Sequence, residues 1–282
     1  MQEGRFSRTA YGVALRRAAH QLFDDPKVLD DPLALPIVGE KAAETLRSDS
    51  GEAQRRISRA VRAFMAARSR YAEDQLALAV SRGVRQYVVL GAGLDTSAYR
   101  HPHSDLRVFE VDHPATQMWK RDRLQVASIV IPPWLTFIPI DFERQTLADG
   151  LKQSGFSVES PAFFSWLGVT PYLTREGCMA TLGFIAKRLP GTGVAFDFAV
   201  HRDLLSIKQK LVLFAISTRV AAAGEPFQLF FDPRQLADEL RQLGFSRTET
   251  LDGDAINIRY FNNRSDGLRV GGGLGQLMAA WV

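Results

Sequence analysis

The 282 residues include one cysteine, Cys178, so an internal disulfide and a cysteine-built zinc site are both excluded and a reducing, cytoplasmic setting is expected. Also missing is any uninterrupted apolar run of bilayer-spanning length, and the segment carrying Arg5 and Arg8 is not followed by the apolar stretch of a secretory leader. A soluble protein with no membrane partner is expected from these absences. Charge of one sign is lacking too: 35 basic and 31 acidic residues are interspersed and leave +4, which predicts no nucleic-acid footprint. There is no Gly-x-Ser-x-Gly elbow for a hydrolase, no internal repeat and no low-complexity tract. His101-Pro102-His103 lacks a neighbouring cysteine or carboxylate cluster, so no metal is expected.

What the chain does have is 46% hydrophobic residues, enough for a sizeable core without staples. Residues 9–23 and 32–46 read as helices, the second with Asp31 as N-cap and Pro32 at the first helical position. Arg55, Arg56, Arg59, Arg62, Arg68 and Arg70 alternate with Ile57, Val61, Phe64 and Met65 at helical spacing. That pattern predicts an amphipathic helix with a solvated arginine face. Arg68 is the exception, because its spacing from Val61 and Phe64 turns it inward, where it needs an anion.

From residue 87 onward the pattern changes to apolar, β-rich runs at 87–90, 108–111, 136–140, 163–169 and 194–198, separated by helical or loop segments. Two further runs, 247–251 and 256–261, flank Asp252-Gly253-Asp254 and read as a terminal antiparallel hairpin. Together they predict an α/β fold with a mostly parallel, seven-stranded, Rossmann-like sheet. The expected organisation is one domain, with a helical cap over 1–84, a core over 85–282 and a helical lid over 201–224. Gly271-Gly272-Gly273 reads as a flexible turn.

In such sheets ligands sit beyond the carboxyl ends of the strands. The first run leads into Leu90-Gly91-Ala92-Gly93-Leu94-Asp95-Thr96, where two glycines allow a sharp turn and close backbone approach to a ligand. A dinucleotide loop wants glycine or alanine where Thr96 stands, so a diphosphate is disfavoured. The second run ends in Glu110-Val111-Asp112, and Asp112 lies 19 residues after Gly93, near the spacing at which an acid meets ribose hydroxyls. Glu110 or Asp112 can alternatively cap the helix that Pro114 opens. The third run ends in Ile140-Asp141-Phe142, a carboxylate and a ring that suit adenine or, equally, a helix cap and a core position.

Taken jointly, Leu90 to Thr96, Tyr99-Arg100, Glu110-Val111-Asp112-His113-Pro114 and Lys120 resemble the leucine carboxyl methyltransferase-like family. Ser7-Arg8-Thr9-Ala10, Asp31-Pro32, Ala67-Arg68, the run Ser165 to Leu173, Gly244-Phe245, Tyr260-Phe261 and Asp266-Gly267-Leu268 extend the resemblance over nearly the whole chain. It is closer to the bacterial branch, which includes polyketide carboxyl O-methyltransferases, than to the phosphatase-modifying enzymes. The resemblance implies a class I methyltransferase fold and S-adenosyl-L-methionine as cofactor, with S-adenosyl-L-homocysteine as product. It also implies that Gly91 lines the cofactor, Arg68 faces the methionine carboxylate, Asp112 holds ribose, and Asp141 with Phe142 holds adenine. Gly93, Asp95 and Glu110 complete the expected cofactor set. Ser97 stands where many relatives have arginine, and Leu167 where the phosphatase-modifying branch has glutamate.

Methyl transfer from a sulfonium is an in-line displacement, so positioning and water exclusion carry much of the catalysis. A carboxylate acceptor is already ionised at neutral pH, its reference pKa being about 4, and needs no base. Candidates for orienting the acceptor are Tyr172, His201 and Arg202; His113 also lies near a strand end. The expected activity is O-methylation of a small-molecule or polyketide-like acceptor. The alternatives are a nucleoside-binding or regulatory protein without transfer activity and an NAD-dependent oxidoreductase, the latter disfavoured by Thr96 and by the missing Tyr-x-x-x-Lys pair.

Overall fold

The computed structural model describes residues 7–48, 51, 56–141, 145–222 and 224–282. Among them, seven strands form one sheet in the order β3-β2-β1-β4-β5-β7-β6. The strands are β1 (Gln86–Leu90), β2 (Arg107–Asp112), β3 (Leu135–Pro139), β4 (Phe163–Trp166), β5 (Gly193–Ala199), β6 (Arg247–Leu251) and β7 (Gly275–Trp281). The first five are parallel; β7 runs antiparallel to both β5 and β6. Because β1 is flanked by β2 on one side and β4 on the other, the strand order reverses at β1, and a crevice opens there beyond the strand ends.

Both faces of the sheet are buried over its central strands β1, β4 and β5, which is why these read as near-continuous apolar runs, whereas the edge strands β3 and β6 are partly exposed. Successive side chains alternate between two cores: Val88, Leu90, Phe109, Phe164 and Phe196 point into one, Tyr87, Val89, Val108, Phe163 and Ala195 into the other. The second core is closed by the long helix α4 (Arg56–Ser81), following α1 (Arg8–Phe23), α2 (Ala34–Val38) and α3 (Glu40–Ser48). Ala63, Ala66, Ala67 and Ala79 of α4 are fully buried, and such small side chains let the helix lie close to the sheet. Helices α5 (Pro114–Val126), α6 (Leu147–Lys152), α7 (Arg175–Ala186), α8 (Ile207–Ala222), α9 (Pro233–Leu243) and α10 (Gly253–Tyr260) complete the elements used below.

Three expectations change. The helix expected over 32–46 is two helices, broken at Gly39 (φ 89°), a conformation that excludes helix continuation. The arginine helix buries Arg62 as well as Arg68: Arg62 grips Asp24 with both Nε and Nη2 at 2.7 Å. The terminal hairpin does not form, since residues 256–260 of the expected second strand lie in α10 and Phe261 is the C-cap of that helix. Asp252 caps this helix by accepting from Ala255 N (2.9 Å), and Ile256 is buried while Ile258 faces solvent, which breaks strand alternation. The antiparallel partner of β6 is β7 instead.

Candidate active site

The crevice is a cavity of about 1450 Å³. Its floor is the turn after β1. Gly91 (φ 65°) and Ala92 both donate to Val111 O, at 2.8 and 3.2 Å, so the chain reverses tightly against the end of β2. A Cβ at Gly91 would overlap Val169 Cγ2. Gly93 N donates to Asp112 Oδ2 (2.5 Å) while His113 N donates to Oδ1 (2.7 Å), so the β2 acid and the glycine turn are set by one carboxylate. Burial pushes the Asp112 carboxyl above its ordinary range despite those amide donors.

The rest of the turn is wired to the N-terminal helices. Arg17 of α1 donates to Leu94 O (3.3 Å), to Asp31 and to Thr96 Oγ1, and its Nη1 lies 3.6 Å from Asp95 Oδ2. Thr96, fully buried, donates in turn to Asp31 Oδ2 (2.8 Å), and Arg100 Nε lies 3.3 Å from Asp31 Oδ1. Asp31 is therefore a buried junction as well as the acceptor for Leu33 N (3.2 Å). Thr96 stands where a dinucleotide loop is small because its hydroxyl belongs to this junction. Asp95 accepts from Ser97 N (2.8 Å) and Ser97 Oγ (2.5 Å). Burial would raise its carboxyl, yet Arg17, Lys120 and the Ser97 hydroxyl hold it down to about 2, so it stays ionised. Ser97, the departure from arginine, also leads to the Tyr87 hydroxyl (3.4 Å), which meets Ser165 Oγ at 2.8 Å.

On the β4 and β5 side, Arg68 turns inward as its spacing predicts and donates from Nη1 to Asp197 Oδ2 (2.9 Å). Asp197 Oδ1 accepts from Gly168 N (2.5 Å), and a Cβ at Gly168 (φ 71°) would stand 2.7 Å from Arg68 Nη2. Gly168 thus makes room for the guanidinium. Arg68 needs an internal anion and has one; since a guanidinium carries five N–H donors, Asp197 engages only part of it.

Arg68, Gly91, Gly93, Asp95, Asp112 and Asp141 all line the cavity. Asp141 N meets Gln145 Oε1 at 3.4 Å and its carbonyl accepts from Gln145 N at 2.8 Å. Phe142 lies outside the described residues. Glu110 does not line the cavity. It points to the same face as Asp112 but one pleat deeper, buried against Lys120 Nζ (2.7 Å) and the Tyr99 hydroxyl (3.3 Å). Burial lifts its carboxyl to about 7 against the pull of Lys120. The cap of α5 is neither acid but His113, whose Nδ1 accepts from Ala115 N at 3.2 Å.

Of the acceptor-side candidates, only Tyr172 lines the cavity. Burial pushes its phenol up to about 12, its hydroxyl meets Thr9, and its ring packs 5.3 Å from Phe227. Thr9 and Ser7 both donate to the Glu225 carboxylate, Ser7 at 3.2 Å, joining the start of α1 to the segment after α8. His201 and Arg202 fall outside the lining. His201 Nδ1 caps a short 3-10 turn at Asp203 N (3.4 Å), and Arg202 stacks over Phe230 (5.3 Å) in solvent. They follow Val200, whose strand has already ended, so the chain has turned away from the crevice. Sequence reasoning missed Asp197, Glu225 and Arg17. A signal existed for Asp197, a lone carboxylate inside the apolar run Phe196-Asp197-Phe198.

Beyond this polar half the cavity extends into an apolar one, lined by Phe64, Phe184, Val212, Leu213, Ile216 and Phe227. Its total volume exceeds the roughly 300–1,000 Å³ of a site for one drug-sized ligand, so there is space for two molecules.

An open sheet of this order, with the glycine turn and an acid at the end of β2, is the fold of the class I methyltransferases. The solved structure of a "putative methyltransferase" from Thermobifida fusca shares it with a TM-score of 0.58 at 16% identity, covering 99% of this chain and 96% of that one. A DUF574 family protein from Streptomyces avermitilis shares it with a TM-score of 0.54 at 15% identity, covering 87% and 94%. The sequence profile of the leucine carboxyl methyltransferase family matches residues 10–186. A Bacillus subtilis protein named "Putative S-adenosyl-L-methionine-dependent methyltransferase YktD" is 34% identical over 292 aligned positions, covering 95% of each chain. This chain belongs to the leucine carboxyl methyltransferase family. The expectation of an S-adenosyl-L-methionine-dependent methyltransferase accords with that membership.

Proposed function

We propose that this chain methylates an oxygen, specifically a carboxylate, of a small and largely apolar acceptor, with S-adenosyl-L-methionine as donor. The observation that carries the reading is the single cavity that joins the polar end around Gly91, Asp112 and Arg68 to an apolar chamber with room for a second molecule. The residues fit the donor by shape and charge. Gly91 and Gly168 leave backbone exposed where a Cβ would fill the space. Asp112 accepts hydrogen bonds from vicinal hydroxyls, the remaining Arg68 donors suit a carboxylate, and Asp141 suits an exocyclic amine. When bound, the cofactor supplies an electrophilic methyl group on a sulfonium.

The acceptor side supports a carboxylate. The only histidine lining the described cavity is His113, with Nδ1 engaged in capping α5. A carboxylate needs no base, whereas a phenol ordinarily does. Tyr172 stays protonated at neutral pH, so its hydroxyl serves as a donor that orients an acceptor oxygen. The apolar walls from α4, α7 and α8 exclude water and hold the rest of the acceptor in line. The family to which the chain belongs, the leucine carboxyl methyltransferases, points the same way.

Transfer of a labelled methyl group to a panel of apolar carboxylic acids and matched phenols tests this reading. Base-labile ester label on the acids is expected. Label confined to the phenols would replace the carboxylate acceptor, and the absence of S-adenosyl-L-homocysteine binding by calorimetry would end the whole proposal.

A further inference from the structure

Helix α8 carries apolar residues on two opposite faces. Its inner face lines the cavity with Gln209, Val212, Leu213 and Ile216, and Lys208 at the edge of that face reaches the cavity rim as well. Its outer face presents Ile207, Leu211 and Phe214, which are 80%, 66% and 73% exposed, and the turn just before it adds Leu204 at 54%. Positions i, i+4 and i+7 fall within about 60° on a helix of 3.6 residues per turn, so these side chains form one stripe rather than scattered exposures. Such exposure has a large unfavourable hydration free energy and marks an interaction surface.

The charges of the helix itself are of one sign. The charged residues of α8 are Lys208, Lys210 and Arg219, all exposed, with no Asp or Glu in the helix. On the same helical projection Lys210 flanks the stripe on one side, Lys208 and Arg219 on the other. The adjoining acid, Asp203, stands beside His201 at 3.5 Å in the preceding turn. An apolar stripe between long cationic side chains is the arrangement of a helix lying in a lipid headgroup plane, where the stems snorkel and the heads meet phosphate. A second protein surface would need acids placed opposite these cations, whereas an anionic bilayer offers them at any rotation.

We infer that α8 docks on an anionic lipid surface, setting the apolar half of the cavity against the membrane interface. The sequence excluded a spanning segment, and no helix among the described residues is long and apolar enough to cross a membrane. Peripheral docking rests on the two-faced geometry of α8 instead. The inference does not depend on which oxygen receives the methyl group.

Co-sedimentation with unilamellar vesicles tests it. The wild-type chain should pellet with vesicles of equal parts phosphatidylcholine and phosphatidylglycerol, not with phosphatidylcholine alone, and high salt should release it. The double variant L211S/F214S should lower partitioning at least about tenfold. Its melting temperature and S-adenosyl-L-homocysteine affinity should be unchanged, because both side chains are already in water and neither lines the cavity. K210E/R219E should lower partitioning to the anionic vesicles by a similar factor. The inference is overturned if the wild type ignores anionic vesicles, or if the serine variant partitions as well as the wild type. It is equally overturned if light scattering shows a lipid-free dimer that L211S/F214S dissociates, since the stripe would then be a self-interface.

Discussion

The two halves of the cavity are built on different principles. Around Gly91 to Thr96 nearly every polar group is over-determined: Asp112 fixes Gly93, Ser97 fixes Asp95, and Arg17 reaches Leu94, Asp31 and Thr96 together. The apolar half is held by side-chain packing, and its outer wall is a helix with one face in water. A pocket for a fixed ligand tolerates such wiring, because a hydrogen-bond network specifies a single geometry. A pocket whose ligand differs among relatives is better walled by dispersion contacts, which survive substitution.

The contrast breaks most visibly at its most heavily wired point. Arg17→Met leaves Asp31 buried with Arg100 and Thr96 but without its main counter-charge, and should cost about 3–5 kcal/mol of stability, read as a lowered melting temperature and denaturant midpoint. A loss no greater than that of an ordinary surface substitution would mean the junction is decorative. Gly91→Ala forces a Cβ onto Val169 at φ 65°. It should weaken S-adenosyl-L-homocysteine by roughly 3 kcal/mol, about a hundredfold by calorimetry. Asp112→Ala should weaken the same ligand by roughly 1–3 kcal/mol, and unchanged affinity would remove Asp112 from the ribose role. At the other extreme, Val212→Ala in the apolar half should alter cofactor affinity by less than about 0.5 kcal/mol while raising the Michaelis constant of an apolar acceptor. Equal effects on both would erase the distinction between the halves.

The same contrast has an acid signature. Burial would raise the Asp31 carboxyl, but Arg17, Arg100 and the Thr96 hydroxyl outweigh burial and hold it below its ordinary value. A folded-state pKa below the unfolded one contributes stability above about pH 4 and loses it as pH falls through the folded value. Melting temperatures should therefore decline below about pH 4, and Arg17→Met should flatten that decline. A decline of the same slope in the variant would assign the acid lability to other carboxylates.

Much of the polar half was legible because its signals are local. A short buried run passes directly into two glycines, and the acids stand at the ends of the following strands, so each signal lies within one strand and the turn after it. Arg68 was legible as inward, yet its partner Asp197 lies 129 residues away, and periodicity says nothing about such a pairing. Glu110 and Asp112 look equivalent in sequence; what separates them is one pleat of depth. The run over 256–261 misled because a short apolar segment fits helix or strand equally, and the Asp252 cap decides only once the chain has turned. His201 and Arg202 follow the fifth strand in sequence but leave the crevice, a direction set by the pairing of Val200 with Phe231. The apolar half has no motif at all, since its walls come from α4, α7, α8 and the segment after α8, brought together only by the fold.

The placement of β7 between β5 and β6 has a consequence for how the chain reaches this state. The strand latest in sequence supplies hydrogen bonds to two strands made before it, so during synthesis β5 presents a bare edge and β6 has no neighbour until residues 275–281 emerge. The Phe196 to Ala199 edge, rich in apolar side chains, is thereby the segment most open to pairing with another nascent chain. Completion of the sheet is a late, long-range event that closes this window in a single step.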